Sequence, residues 1–120
     1  MTNVTIEKRG NSIYKIVCDG HTGYGVEGED IVCSALSSIV QTALMGLLMV
    51  AGVNVKTERD DERGYLYIEI PNDLSSAKQH DVDIITNTML LGVSDLYEGF
   101  SDFIELEVKW YVYKYSTFRP

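Results

Sequence analysis

Residues 29–51 read E-D-I-V-C-S-A-L-S-S-I-V-Q-T-A-L-M-G-L-L-M-V-A, with apolar positions recurring every three to four residues, the period of a helix with a buried face. Ile31, Val32, Ala35, Leu36, Ile39, Val40, Ala43, Leu44, Leu47 and Leu48 form a broad stripe. With Glu29 or Asp30 as the cap, this spacing predicts a helix reaching about Ala51. Ser34, Ser37, Ser38 and Gln41 gather on the opposite side, which Met45 and Met49 continue with apolar groups. The second half of the helix is therefore apolar all round and needs cover on both sides, from the chain's own sheet or from a second copy. Ile31 to Val55 carries no charge and is long enough for a bilayer. Its serines, Gln41 and Thr42, and the lack of a flanking Lys or Arg cluster, favour a packed helix without membrane contact.

Outward from this helix the pattern changes to strands. Val4 and Ile6, then Tyr14, Ile16 and Cys18, alternate with polar positions, and Arg9, Gly10 and Asn11 supply turn chemistry between them. A hairpin is expected. Val53, Val55 and Thr57 alternate before a charged turn at Glu58 to Gly64, and Tyr65 to Ile70 follows as a partner strand. Asn72, Asp73 or Ser75 can cap a second helix bearing Val82, Ile85, Met89, Val93, Leu96 and Tyr97, stopped at Gly99. Ile104, Leu106, Val108, Trp110 and Val112 alternate with polar or aromatic residues as a last, long strand. The order is ββαββαβ. Hairpins separated by long helices argue for an α+β domain, two helices packed on an antiparallel sheet, rather than a doubly wound parallel sheet.

At 120 residues one domain covering residues 1–120 is expected. Folding at this length buries roughly 65% of the unfolded chain's surface, enough for one core without disulfides or metals. With 45% apolar and 23% charged residues, disorder is excluded. Ten basic against 18 acidic residues leave a net charge of −8. The scattered Lys and Arg cannot form a phosphate-binding stripe, so no direct nucleic-acid contact is expected, and a basic polypeptide is the partner such a surface attracts. Cys18 and Cys33, with no signal peptide, point to free thiols in a reducing cytoplasm.

Few residues can carry chemistry. There is no C-x-x-C, no H-x-x-x-H and no G-x-x-x-x-G-K, so neither a metal nor a nucleotide cofactor is expected. The informative stretch is Gly20 to Ser38. Asp19 to Gly28 holds four glycines and reads as a mobile loop. His21 lies near the start of that loop and Cys33 follows it, in what the capping pattern makes the first turn of the long helix. If the loop folds back, imidazole and thiol form the minimum pair for nucleophilic catalysis on a carbonyl. Helix N-terminal amides and an imidazolium favour the thiolate, whereas Glu27, Glu29 and Asp30 oppose it. First-turn amides at Val32 and Cys33 would be free to hold an oxyanion. Ser37, one turn after Cys33, shares its side. On spacing alone the alternative also stands: a loop histidine, a small buried cysteine, Asp30 as a simple cap and Ser37 as a solvated hydroxyl. Cys18 reads as core and His80 as surface.

The stretch G-H followed by E-D-I-V-C-S-A-L-S, on a chain of this size and element order, resembles the ribosomal-processing cysteine protease family. The resemblance implies a small bacterial α+β homodimer that removes a short N-terminal extension from a large-subunit ribosomal protein. It implies His21 as general base and acid and Cys33 as nucleophile, and it sets Asp30 and Ser37 on motif positions. The substrate is then a basic precursor with a short apolar leader, held against the loop of Gly20, Thr22, Gly23, Tyr24 and Gly25 and selected by loop closure. Thr22, Gly25 and Ser34 stand where the pattern has alanines; these small replacements bear on substrate fit, not on the Cys and His roles. The rival function is a non-enzymatic ribosome-associated or assembly-binding module with Cys33 as a structural thiol.

Overall fold

The structure, a computed structural model, describes residues 1–20 and 27–111, with side chains for 1–20 and 31–110. The elements are β1 (Thr2–Arg9), β2 (Ser12–Asp19), α1 (Glu27–Met45), continued by a π-helical segment Gly46–Val50, then β3 (Lys56–Asp60), β4 (Tyr65–Glu69), α2 (Ser76–Gly99) and β5 (Ile104–Tyr111). The expected order and the α+β class both hold. The strands form one five-stranded sheet in the order β3-β4-β2-β1-β5. Its first four strands pair antiparallel, and β5 joins β1 in parallel, Thr2 opposite Ile104 through Arg9 opposite Tyr111. That parallel pairing follows from α2, which carries the chain back across one face before β5 begins.

Inward residues of the sheet, among them Val4, Ile6, Ile16 and Ile68, pack with Val32, Leu36 and Val40 of α1 and Val82, Met89 and Val93 of α2 in one core. The β1–β2 turn uses Gly10 at φ 64°, a left-handed conformation that favours glycine. Glu7 faces Lys15 but Lys8 faces Ile13, so Tyr14 is an extra residue, a β-bulge. The bulge changes the strand's phase: Ile13 becomes core, and Tyr14 turns to the open face of the sheet, where its hydroxyl donates to Glu7 Oε1 at 3.3 Å under the Arg9 guanidinium. Simple alternation places Tyr14 on the inward side, and the bulge overrides it.

α1 and α2 run antiparallel with reciprocal gaps. Ile39 fills the space over Gly92, where a Cβ would lie 3.3 Å from its Cγ2, and Ile85 fills the space over Gly46 at 3.5 Å. α1 starts at Glu27, earlier than the Glu29 or Asp30 cap expected. It ends in a widened turn, with Ala51 N–H bonded to Gly46 O and Val53 N–H to Leu47 O, both at 2.9 Å. Lys78 Nζ, from the first turn of α2, donates to the carbonyls of Ala51 (2.9 Å) and Gly52 (3.1 Å), placing a cation at the negative end of the helix. The widened turn keeps Leu47 buried while Met45, Leu48, Met49 and Val50 face out. Ile31–Val50 has a mean hydropathy of 1.9 over 20 residues, a length and composition that would also suit a bilayer.

β3 departs from its expected bounds. Val53 and Val55 are buried in the connection, and the strand runs over Lys56–Asp60, so Glu58 to Asp60 belong to it and the turn shortens to residues 61–64. Backbone pairing with β4 outweighs the charge of that segment, and the exposed charges blunt a free sheet edge. Ser75 caps α2, its Oγ accepting from Lys78 N–H at 3.2 Å.

Candidate active site

The cleft of interest opens between α1, the ends of β1 and β2, and the β3–β4 turn, with a volume of about 810 Å³. Its α1 wall carries Cys33, Ser34, Ser37, Ser38, Gln41 and Thr42, and its far wall Arg59, Asp61, Gly64 and Tyr65. The polar side of α1, which alone suggests a solvated face, is one wall of this cleft. The far wall comes from the β3–β4 hairpin and its charged turn, whose role no local pattern signals.

Cys33 is half-buried, and its Sγ lies 3.1 Å from the Oγ1 of Thr2. Cys18 is a different thiol: burial pushes it up to about 12, so it stays protonated at physiological pH. Ser37 lines the same cleft as Cys33, and its Oγ accepts from Gln41 Nε2 at 2.6 Å. Gly20 lines it too, at φ +95°, where a Cβ would come 3.1 Å from Met1 O, so that both conformation and space call for glycine. Among the expected site residues the structure thus brings together Gly20, Cys33 and Ser37. His21, Thr22, Gly23, Tyr24 and Gly25 lie outside the described residues. Asp30 is helical in backbone, its side chain outside the description; standing inside α1, it is not the cap.

The earlier start of α1 also moves Cys33 from the first turn to the second. The four free amides of a helix that begins at Glu27 precede Val32, so Val32 and Cys33 N–H fall within the helical ladder and are not the unpaired oxyanion donors expected of a first turn.

Two contributors were not anticipated from sequence. Thr2 is one, signalled only by a hydroxyl on the inward phase of Thr2, Val4 and Ile6. The other is Arg63 in the β3–β4 turn, whose Nε and Nη2 donate to the two carboxylate oxygens of Asp19 at 3.0 and 2.7 Å while its guanidinium stacks 4.4 Å from the Tyr65 ring. Asp19 holds the guanidinium above its ordinary range. This fork ties the far wall of the cleft to the end of β2, two residues before His21. Among the described residues no group of three or more His, Cys, Asp or Glu is arranged to hold a metal ion.

A half-buried thiol on a helix, lining a cleft of about 810 Å³ with polar walls, is a site for thiol chemistry. The family model described as cysteine protease Prp matches residues 1–105. The chain belongs to that family and is a cysteine-type peptidase. The ribosomal processing cysteine protease Prp of Bacillus subtilis is 21% identical over 103 residues, 85% of this chain and 92% of that one. The crystal structure of the ribosomal processing protease Prp from S. aureus with a substrate peptide superposes with a TM-score of 0.79 at 22% identity, covering 91% of this chain and all (100%) of that one. A crystal structure from Streptococcus mutans gives a TM-score of 0.83 at 25% identity, covering 92% and 96%. The expected family and fold are both met, and the peptidase reading prevails over the non-enzymatic module.

Proposed function

We propose that this chain is a cysteine endopeptidase that removes a short N-terminal extension from a large-subunit ribosomal protein precursor, with Cys33 as nucleophile and His21 as general base and acid. The observation that carries the proposal is the Cys33 thiol, half-buried at the cleft, while Cys18, on the floor of the same cleft, is buried and held protonated. The imidazole takes the thiol proton as sulfur bonds to the scissile carbonyl carbon. The C–N bond then breaks as the imidazolium returns that proton to the leaving amine. Water, deprotonated by the same imidazole, attacks the thioester, freeing the sulfur and a carboxylate product. Asp30 and Ser37 support this pair, and Gly20, Thr22, Gly23, Tyr24 and Gly25 bind the substrate.

The net charge of −8 suits a basic ribosomal-protein substrate, raising encounter rates without deciding the cleavage site. A cytoplasmic location fits two free thiols and that substrate. The whole chain acts as one protease domain and pairs into a homodimer through the outward Met45, Leu48, Met49 and Val50, an apolar patch at the widened end of α1. No nucleic acid, metal or membrane enters the reaction. The test is to alkylate the native protein with limiting iodoacetamide, map the modified residue, and follow cleavage of the ribosomal-protein precursor by mass spectrometry. Cleavage lost in step with Cys33 labelling is expected; full cleavage by protein labelled at Cys33 would overturn the assignment.

A further inference from the structure

We infer that Thr2 is a positioning residue for the nucleophile, its hydroxyl holding the Cys33 sulfur at the cleft wall and stabilising it as the thiolate. The inference rests on Cys33 being the nucleophile. Thr2 is a polar residue at a position where an apolar one would cost less to bury. Thr2 is 4% exposed and occupies the inward phase that continues as Val4 and Ile6, both core. Valine has the same shape and strand preference and buries no hydroxyl, so the Oγ1 needs a partner to justify its place.

That partner is the thiol. Thr86, the other buried polar side chain among the described residues, spends its hydroxyl on Val82 O of its own helix at 2.8 Å. Thr2 Oγ1 instead reaches across from β1 to α1, 31 residues along the chain, and lies 3.1 Å from Cys33 Sγ. Its backbone is fixed: Thr2 N–H donates to Phe103 O at 3.0 Å, and Thr2 pairs with Ile104 in the parallel ladder. Next to it, Met1 O closes over Gly20, so this corner of the sheet carries both the sulfur's neighbour and the residue that precedes His21 in sequence.

A threonine hydroxyl has one donor and two acceptor sites and rotates between them. Toward the neutral thiol it can accept the S–H. Once the proton has left, the same oxygen turns its own O–H to the sulfur, a charge-assisted bond stronger than the neutral one. The hydroxyl keeps its proton throughout, so it favours the ionised nucleophile without entering the covalent steps. It touches the sulfur rather than the peptide, so its loss falls on kcat rather than on KM.

The test compares Thr2→Val with Thr2→Ser in the full chain, reading iodoacetamide alkylation of Cys33 by peptide mapping, with Cys18 as internal control, alongside precursor cleavage. Thr2→Val is expected to slow Cys33 labelling and lower kcat by roughly tenfold, the size of one lost hydrogen bond to a charged group, with KM within about twofold. Thr2→Ser restores both. Thr2→Ala against Thr2→Ser repeats the comparison if valine is not accommodated. Wild-type labelling and kcat in Thr2→Val, or Thr2→Ser as slow as Thr2→Val, would overturn the inference. Cleavage that persists in Cys33→Ala would instead overturn the nucleophile assignment beneath it, so the two failures are separable.

Discussion

Raising the pH should destabilise this protein through Cys18, by an amount the structure supplies. Burial pushes the folded thiol from an ordinary 9.0 up to about 12. Above about pH 9 the unfolded chain releases that proton while the folded chain keeps it, so the unfolded state binds fewer protons and stability falls with rising pH. The slope is about 1.4 kcal/mol per pH unit, and the full window is worth about 4 kcal/mol. Below the unfolded thiol's range the term is absent. The assay is urea unfolding of wild type and Cys18→Ala at points between about pH 9 and about pH 11, comparing slopes rather than absolute stabilities. The packing cost of removing the sulfur is common to all points, and tyrosine and lysine titrations are shared by both proteins. Wild type should lose about 1.4 kcal/mol more per unit than the variant. Parallel slopes would refute the argument that Cys18 is a buried, neutral thiol.

Other outcomes follow from contacts already described. Gly92→Ala puts a Cβ 3.3 Å from Ile39 Cγ2, so overpacking should exceed the gain in helix propensity and cost about 1 kcal/mol in urea unfolding, whereas Gly99→Ala meets nothing within 4 Å and should be neutral or slightly stabilising. Arg63→Ala breaks the fork to Asp19; the melting temperature should barely move, because the pair is exposed, but amide exchange at Gly20 and the β3–β4 turn should quicken and KM for the precursor should rise. Met49→Asp charges a residue that is 78% exposed in the apolar patch, and sedimentation should show a dimer for wild type and a monomer for the variant.

Much of the architecture was legible because it rests on periodicity and turn chemistry. Gly10 between two alternating runs gave the hairpin, and the α1 stripe narrowed only to Val32, Leu36, Val40, Ala43 and Leu47 as the buried line. What escaped depends on partners far away in sequence. The bulge at Tyr14 inverts an alternation that reads cleanly through Ile16 and Cys18. The start of β3 is set by its pairing with Tyr65 to Glu69 rather than by Val53 and Val55. In the site, Cys33 stood out because a thiol early in a long helix after a glycine-rich loop is a chemical signal. Arg63 did not, because its fork depends on a turn folding back over Asp19. Thr2 carried a faint signal, one hydroxyl in an apolar phase, whose meaning appears only when β1 and α1 are packed together.

In the proposed mechanism the Cys33 sulfur makes the covalent bond to the substrate. The most direct test of that step is mass spectrometry of a large-subunit ribosomal protein precursor incubated with wild type and with Cys33→Ala, with melting curves to show that both are folded. Wild type should release the N-terminal extension, and the folded variant should leave the precursor intact. Release of the same extension by folded Cys33→Ala would contradict the mechanism.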